Sequence, residues 1–249
     1  FVTEMGWNNL KIKMIKVQKE TFVPENKEIS INEYKALINA AIKKGDERKA
    51  GYEHFMMKEI HEQPKAVKDT LNSVLKDGKL DLSAVELTND EIKKISQIYI
   101  VACGSAYHAG VVAQYVIEDL AKIPVRVELA SEFRYRKPLL DPDGLVIVIS
   151  QSGETADSLA ALRLAKDKGL KTLGIVNVVG SSIAREADNV FYTLAGPEIA
   201  VATTKAYSTQ LIAAYCLALQ FAYVRGEMEL SEYERLLSEL ETIPEKIEK

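Results

Sequence analysis

Leu145-Val146-Ile147-Val148-Ile149-Ser150-Gln151-Ser152-Gly153-Glu154-Thr155 is the stretch whose reading decides the fold. Leu145 to Ile149 is an uninterrupted apolar, mostly β-branched run, which predicts a central parallel strand covered on both faces. Ser152 to Thr155 then supplies hydroxyls, a glycine free to take unusual φ, and a cap before the helical pattern Ala156 to Leu162. An anion on that helix N-terminus would meet unpaired backbone N–H groups, the positive end of the helix dipole, and hydroxyls from Ser150, Ser152 and Thr155. The spacing alone equally fits an ordinary strand-to-helix turn with a Ser/Thr cap. No lysine follows the turn, so a nucleotide P-loop is excluded.

A second turn of the same kind lies upstream. Gln97 to Ala102 reads as a strand, and Cys103-Gly104-Ser105-Ala106 leads from it into a helical pattern over Tyr107 to Ala121. Two strand ends bearing Gly and Ser, each feeding a helix, suit adjacent parallel strands whose carboxyl ends share one crevice, where ligands of open α/β sheets bind.

Five strand candidates follow one another: Ile98 to Ala102, Val125 to Leu129, Leu145 to Ile149, Thr172 to Val176 and Val190 to Leu194. Helical patterns separate them, so the fold class is α/β, a three-layer αβα sandwich around a five-stranded parallel sheet with right-handed crossovers. Before the sheet, Tyr52 to His61 reads as a helix, and another starts at Pro64 and runs to about Lys76, ahead of Asp77-Gly78. After it come a long Ala-, Leu- and Tyr-rich helix over Thr204 to Arg225 and a charged amphipathic helix over Glu229 to Lys249, interrupted at Pro244.

The first 50 residues differ in texture. Leu10 to Gln18 mixes Lys with Ile, Met and Val, Pro24 to Lys27 looks like a turn, and Ile31 to Lys44 is a plausible amphipathic helix ending at Gly45. The expected division is therefore an N-terminal leader or appendage over 1–50, with Trp7 packing locally, and one domain over 51–249.

A chain of 249 residues with 47% hydrophobic and 27% charged residues has the composition of a globular protein with a sizeable core. The net charge of −4 and dispersed basic residues leave no footprint for nucleic acid or an anionic membrane. No apolar run reaches the roughly 18–20 residues of a membrane span, and the N-terminus has no signal-peptide core, so a cytoplasmic location is expected. Two cysteines, Cys103 in the first glycine turn and Cys216 in an apolar helix, argue against a disulfide framework. Cys103 is either a thiol activated by a helix N-terminus or a small residue fitting a tight turn.

Arg134 and Arg136, in Ser131 to Arg136, could bind a phosphate or pair with carboxylates. Ala200 to Lys205 leads into the long helix and is expected to border the same crevice, with Lys205 either offering charge there or standing exposed. His54, His61 and His108 show no metal-ligand spacing, no Ser-His-Asp or Cys-His constellation can be argued from chain order, and no motif calls for a cofactor.

At these motifs the chain resembles the isomerase half of the glutamine:fructose-6-phosphate amidotransferase family. The residues that carry the resemblance are Gly51 to Met56, Lys58 to Pro64, Ser131 to Arg136, Ser150 to Asp157, Gly180 to Ser182 and Glu198 to Tyr207. Ser-Gln-Ser-Gly-Glu-Thr is shared by many sugar-isomerase (SIS) domains, whereas Ser-Glu-Phe-Arg-Tyr-Arg and Lys-Glu-Ile-His-Glu-Gln-Pro are far more specific. The resemblance covers about Gly51 to Lys249, and 1–50 gives no convincing match.

The resemblance implies a flavodoxin-like SIS fold in which Ser150, Gln151, Ser152 and Thr155, with Gly153 in the same turn, hold a hexose 6-phosphate. Ser105 assists from the turn containing Cys103 and Gly104, and Val201 and Thr203 touch the sugar. The family usually has Thr-Ser after Cys-Gly; here Ser105-Ala106 keeps one hydroxyl and loses the other, worth about 1 kcal/mol if uncompensated.

The resemblance further implies a homodimer, with Thr204 to Arg225 as a possible interface, and a larger enzyme that makes glucosamine 6-phosphate from fructose 6-phosphate and glutamine. In that enzyme a glutaminase domain precedes two SIS units. The general acid/base glutamate, the ring-opening lysine and a histidine from across the dimer belong to the second unit, so no catalytic residue is assigned in this chain. Two other readings stay open: a phosphosugar-sensing module without chemistry, and a single-SIS isomerase with Glu154 or Glu198 as base.

Overall fold

Strand runs that are apolar on both faces must be covered on both faces, and in the computed structural model, which describes residues 49–249, they are. The chain divides between Lys58 and Glu59, and the unit from Glu59 onward carries the fold described below. The expected elements over Leu10 to Gln18, Pro24 to Lys27 and Ile31 to Lys44, and the packing of Trp7, lie outside the described residues.

Helix α1 spans Phe55–His61, three residues later than Tyr52, and α2 spans Gln63–Asn72 with Pro64 in its first turn. The expectation that this second helix reaches Lys76 is corrected. Asp77 and Gly78 both take positive φ (50° and 73°), which closes a small hairpin of β1 (Leu75–Lys76) and β2 (Lys79–Leu80). Helix α3 (Asn89–Lys94) follows, with a capping box in which Thr88 and Glu91 satisfy each other's backbone N–H.

The sheet contains β3 (Ile98–Ala102), β4 (Val125–Leu129), β5 (Leu145–Ser150), β6 (Lys171–Val176) and β7 (Asn189–Tyr192). All pairings are parallel, in the order β4-β3-β5-β6-β7. Its helices are α4 (Ser105–Ala121), the short α5 (Ala130–Phe133), α6 (Ala156–Asp167), α7 (Ser182–Glu186) and α8 (Lys205–Arg225). Helices α9 (Leu230–Glu241) and α10 (Ile243–Glu248) close the chain, with Pro244 in the first turn of α10.

Alternation along each strand sends side chains to two separate cores. Ile98, Ile100, Leu145, Ile147 and Ile149 face one core with residues of α4 and α8, while Tyr99, Val101, Val146 and Val148 face the other with Ala161, Leu162 and Ala165 of α6. The three-layer sandwich expected from the sequence is thus the observed architecture.

Helix α8, the expected source of a dimer interface, packs mainly on α4 and α2, with α3 and α9 also against it. Much of its apolar surface is thereby buried inside the unit, and its remaining residues are only partly exposed.

Because the chain goes from β3 outward to β4 and returns to pair β5 on the other side of β3, the connections after β3 and β5 diverge. A crevice opens at their carboxyl ends, the switch point of a doubly wound sheet.

Candidate functional site

Both turns singled out in the sequence line one pocket at that switch point, of about 260 Å3. Cys103 and Ser105 enter it from the end of β3, and Ser150, Gln151, Ser152 and Thr155 from the end of β5. Val201 and Thr203 border it from the segment before α8. Of the ten expected site residues, the two glycines shape the turns without lining the pocket.

Gly104 is the N-cap of α4 at φ 59°, ψ −136°, a conformation closed to side-chain-bearing residues. Gly153, at φ 65°, is constrained more tightly, since a Cβ there would sit 2.0 Å from Ser181 Oγ. Its N–H donates to Ser150 Oγ (3.1 Å) and its carbonyl accepts from Ile183 N–H (3.0 Å), so the β5 turn is pinned to α7. Ser150 Oγ also lies 3.2 Å from Thr155 Oγ1, and Ser152 Oγ accepts from Glu154 N–H (3.2 Å).

Helices α4 and α6 both begin at this pocket, and neither has a side-chain cap. Their leading amides, the orphan donors of any helix start, converge on the hydroxyls of Ser105, Ser150, Ser152 and Thr155. Such a set suits an anion held by dipoles rather than by charge, which is consistent with a chain of net charge −4.

The remaining wall is the segment Glu198–Thr203, held by carboxylates that the sequence reading did not place. Glu59, 1% exposed, accepts from Ile199 N–H (2.5 Å) and Ala200 N–H (3.2 Å). Glu198 accepts from Thr204 N–H (2.8 Å), Ala206 N–H (3.2 Å) and Thr203 Oγ1 (2.8 Å), which caps α8 and engages the Thr203 hydroxyl proton. Asn177 bridges the preceding loop, accepting from Ala195 N–H and donating to Gly196 O (2.8 Å each).

Arg134 pairs with Asp157 (2.6 Å) and Arg136 makes a two-pronged bond to Glu128, so the carboxylate reading of both arginines is the observed one. Lys205 neither lines the pocket nor stands exposed, because its ammonium is buried and donates to Glu62 (2.7 Å). Cys103 is half-buried beside Ser158, while burial pushes the Cys216 thiol up to about 12.

The two carboxylates considered as bases are otherwise engaged. Glu198 is the α8 cap, and Glu154 accepts from Ser182 N–H (2.8 Å) and Ser182 Oγ (2.6 Å) at the start of α7. Among the described residues no three His, Cys, Asp or Glu gather as a metal site, and no helix is long and apolar enough to cross a membrane.

Ala106 and Gln210 also line the pocket. Gln210 was missed in the sequence, although a glutamine inside the apolar run of α8 was the available signal.

Comparison with known proteins agrees with this arrangement. A model described as SIS domain matches residues 91–220, just over half the chain. The chain is 55% identical over 244 residues to glutamine--fructose-6-phosphate aminotransferase [isomerizing] of Clostridium tetani, spanning 97% of this chain and 39% of that protein. It is 58% identical over 201 residues to the protein of the same name from Caldanaerobacter subterraneus, spanning 80% of this chain and 33% of that one.

A solved structure, the C-terminal domain of glucosamine-fructose-6-phosphate aminotransferase from Francisella tularensis, superposes with TM-score 0.75 at 43% identity over 79% of this chain and 55% of its own. The chain thus spans about two fifths or less of the curated relatives' length. The Clostridium tetani match also takes in most of residues 1–50, which corrects the expectation that the resemblance begins near Gly51.

Proposed function

The chain belongs to the SIS-domain family, and from that membership we propose that it is the hexose 6-phosphate-binding unit of a glutamine:fructose-6-phosphate aminotransferase (isomerizing). The observation that supports this reading most is the convergence of two uncapped helix starts and four hydroxyls on one crevice. A phosphate dianion there would accept from the leading amides of α4 and α6 and from Ser105, Ser150, Ser152 and Thr155, with Gln151 beside them. Gly104 and Gly153 make the approach possible, Cys103 closes the floor, and Val201 and Thr203 lie against the sugar.

Within the complete enzyme, ammonia released from glutamine would add to the ketose carbonyl, and proton transfer between C1 and C2 would yield glucosamine 6-phosphate. The ionisable side chains lining this pocket are Cys103 and Glu198, and Glu198 is held by the α8 amides. The unit therefore binds and orients the phosphosugar, and the proton-transferring groups come from a second SIS unit. Residues 51–249 are the binding domain in this proposal and 1–50 its N-terminal extension. A homodimer, a glutaminase domain and a cytoplasmic location, in keeping with two free cysteines, belong to the same proposal.

The same lining set favours one second reading, a phosphosugar-sensing module without catalysis. Titration of the purified chain with fructose 6-phosphate, followed by NMR, tests the shared claim. Ser150→Ala and Ser152→Ala should each weaken binding about 10- to 100-fold, the worth of one hydrogen bond to a charged group. Unchanged affinity in both variants would refute the assignment.

A further inference from the structure

We propose that Gln210 is the residue that reads the sugar hydroxyls, a specificity determinant distinct from the phosphate-binding turns. The inference rests on the phosphosugar reading above and assigns the part of the pocket that the turns leave unexplained. Gln210 lies in the second turn of α8, is 4% exposed, and lines the pocket. Its polar neighbours all have partners: Ser208 Oγ donates to Gln63 Oε1 (2.6 Å) and Thr209 Oγ1 to Ala206 O (3.0 Å). Gln210 makes no side-chain hydrogen bond to any protein group, and its amide is not among the atoms sealed from the surface without a partner. What access the amide retains is to the pocket that it lines.

A primary amide held out of bulk water with no protein partner is unfavourable unless something else completes it. The chemistry of the amide says what that would be. Nε2 carries two donors and Oε1 two acceptor sites, a set that pairs with hydroxyls, which both donate and accept. A phosphate dianion only accepts and would leave Oε1 unsatisfied. In the Glu198–Thr203 wall the Thr203 hydroxyl proton is engaged by Glu198, so Thr203 offers a ligand no donor, and Ala106 carries only a methyl group. Gln151, the other amide of the pocket, belongs to the β5 turn already assigned to the phosphate, so Gln210 is the neutral donor and acceptor that α8 offers to a polyol.

The test uses the whole purified chain, followed by NMR, with fructose 6-phosphate and inorganic phosphate as probes, in the wild type and in Gln210→Met, which keeps length and burial. Fructose 6-phosphate affinity should fall tenfold or more in Gln210→Met while phosphate affinity stays within twofold. In the wild type the Gln210 side-chain amide resonances should shift with fructose 6-phosphate and not with phosphate, a readout that does not depend on the variant's folding. Equal losses for both probes would make Gln210 structural and overturn the inference, as would unchanged affinity or amide resonances that respond to neither probe. Wild-type binding of fructose 6-phosphate with an indifferent Gln210 overturns this inference alone. Absence of any binding to the folded wild type overturns the phosphosugar reading with it.

Discussion

Gly153 concentrates the physical demands of the site in one position. Its φ of 65° and the 2.0 Å gap that a Cβ would leave to Ser181 Oγ exclude any side chain without displacement of α7. Gly153→Ala is expected to cost about 2–4 kcal/mol, combining left-handed strain with overpacking, as read by urea unfolding. Phosphosugar affinity should fall with it, because the same residue donates to Ser150 Oγ.

At this scale the sequence showed which residues bear hydroxyls and where a glycine is needed, since both follow from strand-to-helix chemistry local to Ser150–Thr155. Glu59 was not legible, because its partners Ile199 and Ala200 lie far along the chain and only the tertiary fold brings them together. Lys205 was misjudged for the same reason, its partner Glu62 being a helix start that no local pattern connects to it.

Between elements, carboxylates do much of the joining. Glu198 caps α8 while holding Thr203, so Glu198→Gln should lower stability by about 1–2 kcal/mol in chemical denaturation, with a larger effect on ligand affinity than an exposed cap would have. Glu91 closes the α3 capping box and pairs with Lys171 of β6; the Lys171 ammonium, then Thr88, hold its carboxyl down to about 2 against an ordinary 4.5.

The unfolded chain therefore takes up that proton first. The stabilisation from Glu91 is fully present above about pH 4.5 and is lost as pH falls toward about 2. Glu91→Gln should flatten that portion of the stability profile while costing about 0.5–1 kcal/mol at neutral pH, measured as unfolding midpoints from pH 2.5 to 7.

The strands were legible almost to the residue because a doubly covered strand cannot hide its apolar run. The end of α2 was not, because helix propensity continues through Val74 while the Asp77-Gly78 turn pulls Leu75 and Lys76 into a hairpin.

At the scale of the whole molecule, the order β4-β3-β5-β6-β7 brings two distant turns to one crevice, and that juxtaposition is what turns two ordinary helix starts into a candidate anion site. The αβα sandwich followed from the alternation of elements. The N-terminal 50 residues carried no motif, so their inclusion in the match to a longer relative was visible only by comparison. The carboxylate that lines the pocket is engaged by the α8 amides, so under the proposed function the purified chain given fructose 6-phosphate and ammonia should form no glucosamine 6-phosphate above background; robust synthesis would place the proton-transferring groups within this chain.

The central claim is that the crevice recognises a phosphorylated sugar. Calorimetric titration of the purified chain with fructose 6-phosphate and, separately, with unphosphorylated fructose tests it most directly. Saturable binding of the phosphosugar and none of the free sugar at the same concentrations is the expected result. Equal binding of both, or binding of neither by folded protein, would contradict it.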